Sequence, residues 1–551
     1  MRPSLDRMIR LEVSRAATVF SALLQGDPLL RVAGEELGVR EWNEIHYDTP
    51  NLQLRRNRIS LLIVRRDEQW IQRCCRQEEG SSDLQWVETV LTEAQLDIKP
   101  LRKLSLFPLL TVEDMRALEP VFTLHCRERS WRLSFPENEG FILAEERGYW
   151  KIGAERYPFH DLVMHTPTGA LARWYQTALE LAWSLFHVEQ KEGEEQSPFE
   201  RYGPTLLADR PALRAFGGMT GQLLLPVASA AAPLLFVPRL GINGSDQFYP
   251  LSGELSARQI FVQLAGKVLQ AICEQHQAVL YGNRAAKLEG IAWLHLHVRR
   301  LHALLRFFDP LLPRSVSSEW ENEFGWLLKE LLLVQECQVL QQISVEPLLE
   351  QFVGHGGLEA LLNKTRNGLL LAIKRLEKGL RSFRFTRLVL GMHNWLHGGL
   401  WDFLSDPLVR DELDLPLQRR AGEWLQESYQ RVRRQGLQWS ELTFAERSAL
   451  VTELDQLGDA VVLFAELFAN KRGRISGDGR LIFLEALQRM QEALHLLLHI
   501  ESSQRFLLRG VGGEESALQA MQRWQAERLQ KAMLEAGRCW DLFANKLSFW
   551  S

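Results

Sequence analysis

The chain has 551 residues, of which 46% are hydrophobic and 24% charged, and its formal net charge is −4. This length predicts about two to four domains with ordinary globular cores. The near-neutral charge excludes a general attraction to nucleic acid, so any anion site must be a local patch. Six cysteines without CxxC spacing favour a reducing compartment, and we expect a cytoplasmic protein.

The first 203 residues predict mainly strands. Short β-branched or aromatic runs separated by charged turns are found at residues 61–64, 70–75, 84–91 and 130–135. Near residues 170–189 the apolar residues recur at helical spacing instead, which predicts one long helix. Residues 1–203 are therefore expected to form a strand-rich first domain.

Residues 204–254 predict a linker. The uncharged stretch between Arg214 and Arg239 is interrupted by Pro226, Pro233 and Pro238. A membrane-spanning helix needs about 20 predominantly apolar residues, so this broken stretch predicts a buried connector instead. The N-terminus also lacks the apolar core of a signal peptide. We expect no membrane segment.

Residues 255–551 predict helices. Ser256 and Gln259 have the spacing of a capping box. The apolar residues that follow recur on one helix face: Ile260, Leu264, Val268 and Ile272. Gly398-Gly399 and the segment 407–416 divide this half, which predicts two bundles at about 255–400 and 401–551.

Two patterns resemble known families. Tyr47-Asp-Thr-Pro50 and the following residues 54–66 resemble the second strand region of CYTH domains, the triphosphate tunnel enzymes. In the helical half, residues 286–308, 323–340, 442–468 and 538–550 resemble CHAD domains. The resemblance implies an α+β chain, with an N-terminal antiparallel β-tunnel followed by all-α paired helical bundles. CYTH followed by CHAD is the architecture of certain bacterial inorganic triphosphatases.

The CYTH resemblance also implies site residues. Cations hold the phosphate oxygens, whereas carboxylates hold the metal and orient water. The implied catalytic residues are Glu12, Glu88 and Asp161, and the implied metal ligands are Glu12, Glu146 and Asp161. The implied triphosphate-binding residues are Arg73, Arg127, Arg129 and Arg201. The metal would be Mg²⁺, or Mn²⁺, and the partner inorganic triphosphate or polyphosphate.

Several charges of the family pattern are replaced in this chain. The first strand motif, Glu-x-Glu-x-Lys, reduces to its central carboxylate between Arg10 and Ser14. Leu62 and Val64 stand where two inward arginines are expected, and Cys75 takes the place of a lysine. Losing one charge-stabilising contact typically lowers a rate by about 10²–10³. We therefore expect weak or lost hydrolysis.

The CHAD resemblance implies a polyphosphate patch. His295, Arg299 and His302 are spaced to share one helix face. In the second bundle Ser448, Val451, Asp455 and Gly458 replace the histidine, arginine, lysine and arginine of the family. A separate basic run includes Lys374, Lys378 and Arg381, which are predicted to share a helix face. This run could attract phosphate chains or be a solvated surface, and it lacks the aromatic residues typical of single-stranded nucleic-acid sites.

Three hypotheses follow. The first is a divergent CYTH–CHAD protein that binds triphosphate or polyphosphate with weak or lost hydrolysis. The second is an active Mg²⁺-dependent inorganic triphosphatase, and the third is a protein-interaction scaffold. The histidine pairs His393/His397 and His495/His499 have zinc-like spacing without an evident third ligand, and we expect them in helix packing or at the surface.

Overall fold

The computed structural model of the protein describes most of the chain. The described residues are 8–12, 34–51, 53–56, 59–66, 69–77, 84–98, 111–134, 140–165, 171–190, 205–207, 251, 253–282, 284–312, 314–397, 407–468, 476–510 and 515–550. They fall into two compact units. The sheet unit comprises Met1–Val227, Cys273–Leu288 and Lys378–Gly398, and the helical unit comprises Ala228–Ile272, Glu289–Glu377 and Gly399–Ser551.

The sheet unit contains a nine-stranded sheet. Its strands are β1 (Met8–Glu12), β2 (Gly34–Asp48), β3 (Ile59–Arg66), β4 (Gln69–Gln77), β5 (Leu84–Leu91), β6 (Glu119–Ser134), β7 (Gly140–Ile152), β8 (Glu155–His165) and β9 (Thr205–Leu207). Their order is β5-β4-β3-β2-β6-β7-β8-β1-β9, and the neighbouring strands pair antiparallel. The strand β9 lies at the start of the predicted linker, so that part of the linker belongs to the sheet.

The chain forms fourteen α-helices among the described residues. They are α1 (Gln53–Arg56), α2 (Val112–Arg116), α3 (Leu171–Gln190), α4 (Ala257–Tyr281), α5 (Arg284–Phe308), α6 (Arg314–Val339), α7 (Glu346–Gln351), α8 (Gly356–Leu380), α9 (Phe383–His397), α10 (Pro407–Asp414), α11 (Gln418–Gln435), α12 (Phe444–Phe464), α13 (Ser476–Gly510) and α14 (Glu515–Ala544). The predicted fold class is confirmed, since an antiparallel sheet precedes a helical region.

The Tyr-Asp-Thr-Pro motif forms the expected turn, short helix and strand. The Oδ1 atom of Asp48 accepts hydrogen bonds from the backbone amides of Thr49, at 2.7 Å, and Leu54, at 2.9 Å. The Thr49 hydroxyl accepts a hydrogen bond from the backbone amide of Gln53 at 2.9 Å. These two buried side chains satisfy amides at the start of α1, which otherwise would have no partner within the helix.

The sheet has two faces with different contents. Directly opposed residues of an antiparallel pair point to the same face, and successive residues point to opposite faces. The strand register therefore defines an Arg10 face, which carries Arg10, Leu62, Val64, Arg73, Glu88, Glu128, Glu146 and Asp161. It also defines an Arg127 face, which carries Glu41, Asn43, Arg65, His125, Arg127, Arg129, Glu145, Arg147, Tyr149 and His160.

Each face has its own apolar core. A buried cluster on the Arg10 face, the Phe122 cluster, consists of Phe122, Leu124, Cys126, Trp150 and Phe159. A second cluster, on the other face, packs the sheet against α1 and α2 and consists of Leu54, Ile59, Leu61, Cys74 and Met115. Both faces of the sheet are thus covered by apolar contacts over part of their area.

Two predictions for the helical elements are confirmed. Ser256 and Gln259 form the capping box, with the Ser256 amide 3.0 Å from Gln259 Oε1 and the Gln259 amide 3.3 Å from Ser256 Oγ. The predicted apolar face of α4 is buried at Ile260, Leu264, Val268 and Ile272.

Within the sheet unit the His393 and His397 rings stack on Tyr175, at 4.8 and 5.6 Å between centroids, so this pair serves helix packing.

The predicted domain boundaries at residues 203 and 254 stay predictions. Residues 208–250, including the stretch between Arg214 and Arg239, lie outside the described residues. Among the helices that the structure describes, none is both long and apolar enough to cross a membrane.

Candidate functional site

A buried arginine joins two carboxylates on the Arg10 face. The Nη1 atom of Arg10 lies 2.7 Å from Glu146 Oε2 and 2.7 Å from Asp161 Oδ2. The strand order places β1, β8 and β7 side by side, which brings these residues together. Their side chains are only 3%, 8% and 0% exposed. Burial alone would lower the pKa of the Arg10 guanidinium, but the charges of Glu146 and Asp161 outweigh burial and raise that pKa.

The Arg10 contact decides whether the predicted metal ligands fit Mg²⁺. Glu146 and Asp161 both bind the Arg10 guanidinium, so a cation already occupies the position between the two carboxylates. Glu12 ends β1 opposite Asp161, and its side chain is outside the described parts of the structure. Among the described residues, no three His, Cys, Asp or Glu side chains form a metal-binding group. The described residues do not fit the metal that the family implies.

Two other predicted residues on the Arg10 face bind each other. The Nε atom of Arg73 lies 2.9 Å from Glu88 Oε1, and the two side chains are 20% and 27% exposed. Leu62 and Val64 are buried on the same face, in the places expected for inward arginines. This part of the sheet therefore presents one balanced ion pair and apolar side chains.

The remaining predicted triphosphate residues do not join this group. Arg127 and Arg129 lie on the opposite face, because both occupy odd-numbered positions of β6 while the Arg10 face takes the even ones. Arg127 Nε is 3.5 Å from Glu41 Oε1, and Arg129 Nε is 2.7 Å from Glu36 Oε1. The expected single cavity shared by Arg73 and Arg127 is thus not formed. Arg201 lies outside the described residues.

A pocket on the Arg127 face brings Arg127 together with residues that the sequence did not single out. The cavity has a volume of about 480 Å³. It is lined by Glu41, Trp42, Asn43, Arg65, His125, Cys126, Arg127, Arg147, Gly148 and Tyr149. The sequence feature that could have indicated this pocket is the alternation of His125, Arg127 and Arg129 along one strand, because alternate residues of a strand share one face.

Gly148 brings two strands unusually close beneath this pocket. A Cβ atom at position 148 would lie 1.9 Å from the backbone oxygen of His125 on β6. No side chain fits at that distance, so only glycine permits this approach. The close contact lies directly beside the His125 and Tyr149 rings, which stack with centroids 4.6 Å apart.

In the helical unit, the predicted polyphosphate residue Arg299 is bound by two aspartates of α12. Its Nη1 atom lies 2.9 Å from Asp455 Oδ2, and its Nε atom lies 2.7 Å from Asp459 Oδ2. Burial would lower the pKa of Arg299, but Asp455 and Asp459 raise it. Asp455, which replaces a lysine of the family pattern, therefore balances the cation that the family would present to phosphate.

Further contacts complete this partly buried network. Gln491 Nε2 donates to Asp455 Oδ1 at 2.9 Å, and His495 Nε2 lies 3.2 Å from both carboxylate oxygens. Burial raises the pKa of Asp455, but Arg299 and His495 lower it below its ordinary value. Burial, aided by the Arg299 charge, lowers the pKa of His295 to about 3. A neutral imidazole at His295 adds no charge for a polyphosphate.

The rest of the predicted helical site is more exposed. Burial, aided by Arg306, lowers the pKa of His302. Lys374 is exposed on α8, and Lys378 is half-buried near the end of that helix. Helix α8 ends at Leu380, so Arg381 lies in the following turn rather than on the predicted helix face. The Arg381 guanidinium lies 5.3 Å from the centre of the Tyr281 ring.

The sheet followed by helices defines an α+β protein whose two halves stand in the order expected of CYTH–CHAD proteins. The family model of the CHAD domain matches residues 263–508. The predicted resemblance of the helical half to CHAD domains is thus confirmed over these residues. No curated protein matches the sequence at a significant level.

Several solved structures are similar to part of the chain. A candidate adenylate cyclase from Bacillus halodurans has 14% identity, covers 32% of this chain and 89% of its own, and gives a TM-score of 0.21. A candidate adenylyl cyclase from Hippeastrum, described as having a dominant triphosphatase activity, has 14% identity over 34% and 90%, with a TM-score of 0.21. One from Vibrio parahaemolyticus has 17% identity over 36% and 96%, with a TM-score of 0.20. At such TM-scores we conclude nothing further from these similarities.

Proposed function

We propose that this protein binds inorganic triphosphate or polyphosphate and has weak or lost hydrolytic activity. The CHAD domain and the CYTH-like turn and strand pattern support a phosphate-chain ligand. The contact of Arg10 with both Glu146 and Asp161 supports the inference that hydrolysis is weak or lost. These are two of the carboxylates that a metal-dependent triphosphatase of this family would need.

The physical reason is competition for the carboxylates. A triphosphatase of this kind uses a metal ion to balance charge on the phosphate oxygens and to position water. A buried ion pair is broken only at a large energetic cost, because separating the partners leaves a buried charge without compensation. Mg²⁺ would have to displace the Arg10 guanidinium from Glu146 and Asp161 before it could bind there.

On the Arg10 face, the cations that should hold the substrate are either paired with a carboxylate or replaced by apolar residues. Arg73 is paired with Glu88, and Leu62 and Val64 replace two cations. A triphosphate carries several negative charges, and binding it beside apolar side chains would leave those charges poorly compensated. We therefore infer that the ligand binds outside this face.

The first test is phosphate release from inorganic tripolyphosphate with Mg²⁺ or Mn²⁺, together with calorimetric titration of tripolyphosphate. Wild type and Glu12→Ala are compared. We expect saturable binding and no release above the buffer rate in either protein. Release that Glu12→Ala abolishes would establish the active triphosphatase and overturn the proposal. If the protein shows neither binding nor release, the protein-interaction scaffold is the remaining hypothesis.

A further inference from the structure

We propose that the pocket on the Arg127 face binds a short inorganic phosphate chain such as tripolyphosphate. This inference rests on the proposed function for the class of ligand, and it adds the site. The cavity of about 480 Å³ falls within the range of roughly 300–1,000 Å³ that is usual for small-ligand sites. It is separate from Arg10, Glu146 and Asp161, which point to the other face of the sheet.

The lining of the pocket is strongly basic. Three arginines, Arg65, Arg127 and Arg147, line it, and Glu41 is the one carboxylate among its lining residues. Strands β3, β6 and β7 supply these arginines. In the sheet, β6 and β7 are neighbours, and β2 separates β6 from β3. Guanidinium groups form paired hydrogen bonds with phosphate oxygens, which makes arginine well suited to such a ligand.

Arg147 is held in position by a buried acid. Its Nε atom donates to Glu145 Oε1 at 2.7 Å, and His160 Nε2 lies 2.8 Å from the same oxygen. Burial alone would raise the pKa of Glu145, but the hydrogen bonds from His160 and Arg147 lower it, so the carboxylate stays ionised. The Arg147 side chain still has 39% of its surface exposed. An anion would therefore meet a guanidinium whose position is already fixed.

The other two arginines are exposed and weakly engaged. Arg127 and its partner Glu41 are 67% and 72% exposed and 3.5 Å apart. Exposed pairs of this kind contribute little free energy, so a phosphate can replace Glu41 at low cost. Arg65 is exposed, and its guanidinium lies 5.6 Å from the centre of the Trp70 ring.

The surroundings favour phosphate over a nucleobase. The Tyr149 ring contacts the His125 ring, with centroids 4.6 Å apart, and the Arg156 guanidinium, 4.8 Å from its centre. Trp42, the other large aromatic residue of the lining, packs against the Phe122 cluster. The pKa of His125 is lowered by burial and then by the charges of Arg156 and Lys151, in keeping with positive surroundings. The lining thus offers cations, while its aromatic rings are already in contact with other side chains.

The test compares two double variants by calorimetric titration of tripolyphosphate into the full chain. Arg65→Ala with Arg127→Ala removes two pocket cations. Arg116→Ala with Arg132→Ala removes the same charge from exposed positions of the sheet unit that do not line the pocket. Both proteins are checked for an unchanged melting temperature. We expect the pocket variant to lose about 100-fold in affinity, because a hydrogen bond to a charged group contributes on the order of tenfold or more. The control should lose less than about threefold.

The outcomes separate this inference from the proposed function. If both variants lose the same affinity, or if the pocket variant keeps full affinity, the assignment of the ligand to this pocket is overturned. Binding by wild type would in that case still uphold the proposed function. A wild type that does not bind tripolyphosphate would overturn both. ATP should bind no tighter than tripolyphosphate, and tighter binding of ATP would overturn the assignment to an inorganic chain.

Discussion

Arg10 and Asp161 are paired at 2.7 Å on neighbouring strands, and both are almost completely buried. In the helical unit Arg299 and Asp455 are paired at 2.9 Å. In each pair, one member has the opposite charge to the residue expected from the family pattern, since position 10 should be acidic and position 455 basic. The unexpected residue neutralises a group that would otherwise face metal or phosphate. Each unit thus contains an ion pair in which a residue of unexpected charge binds a predicted site residue.

Replacing Arg10 should strongly destabilise the sheet unit. Arg10→Ala leaves Glu146 and Asp161 buried without a counter-charge, and we expect a loss of about 3–5 kcal/mol in the free energy of unfolding. Urea unfolding of wild type and variant measures this loss. The matched control is Arg132→Ala, whose pair with Glu35 is 55% and 69% exposed and should contribute less than about 1 kcal/mol. Similar losses in both variants would contradict a structural role for the buried pair.

The same variant should gain an affinity for divalent metal. Without the guanidinium, Glu146 and Asp161 can share a cation, and Mn²⁺ that binds only the folded state raises its stability. We expect Mn²⁺ to raise the melting temperature of Arg10→Ala and to leave wild type unchanged. Adding Asp161→Asn to the variant should abolish the shift. An equal Mn²⁺ shift in wild type would show that Arg10 does not exclude the metal.

Arg299 and Asp455 should be energetically coupled. In a double-mutant cycle with Arg299→Ala and Asp455→Ala, we expect a coupling free energy of about 1–3 kcal/mol, because each single change leaves a partly buried charge without its partner. Urea unfolding of the four proteins gives the value. The exposed pair Arg419 and Glu423, 90% and 60% exposed, should give about 0.5 kcal/mol or less. A coupling near zero for the buried pair would refute its role.

Buried histidines should make the protein sensitive to acid. Burial lowers the pKa of His393 to about 3, with His397 adding to the effect, and the pKa values of His276 and His297 are likewise about 3. The unfolded pKa is about 6.5, so their contribution is complete above that pH and is lost as pH falls below it. Each such histidine should cost about 1.4 kcal/mol per pH unit in this range.

The variant His393→Phe tests this dependence. The variant keeps a ring against Tyr175 but cannot take up a proton there. Its free energy of unfolding should therefore fall less steeply than that of wild type between about pH 6 and pH 4, and the difference in slope should equal the contribution of one histidine. Urea unfolding at several pH values gives the two slopes. Identical slopes for wild type and His393→Phe would exclude His393 as a contributor.

Gly148→Ala should destabilise the sheet beneath the pocket. The new Cβ would lie 1.9 Å from the His125 carbonyl oxygen, so the strands must separate, and we expect a loss of about 1–3 kcal/mol. Gly325→Ala is the control, because a Cβ there meets nothing within 4 Å and lies inside α6. That change should stabilise by up to about 1 kcal/mol. Thermal unfolding compares both, and a neutral Gly148→Ala would disprove the close approach.

Local features of the fold were predictable because their causes are local. The capping box of Ser256 and Gln259 spans a few residues, and so does the turn that Asp48 and Thr49 stabilise before α1. The apolar face of α4 follows from helical periodicity alone. In each case, the residues that determine the structure are neighbours in sequence, so the pattern alone is informative.

The site was only partly predictable because its contacts are distant in sequence. Arg10 is separated by 136 residues from Glu146 and by 151 from Asp161, so its role as their partner cannot be read from either segment. For Arg127, the question was which face it occupies. A shift of one residue reverses the facing of a strand, and the sequence of β6 gives no local signal of its register. The pocket residues therefore became visible only once the strands were paired.

The Arg10 contact also limits how this protein could change over generations. A lineage that acquired an acidic residue at position 10 would place a third carboxylate beside Glu146 and Asp161. A lineage that lost Arg10 to a neutral residue would first carry two uncompensated buried charges. Either step passes through a less stable protein before any benefit arises. Position 10 is therefore constrained by the stability of the fold itself, independently of any ligand.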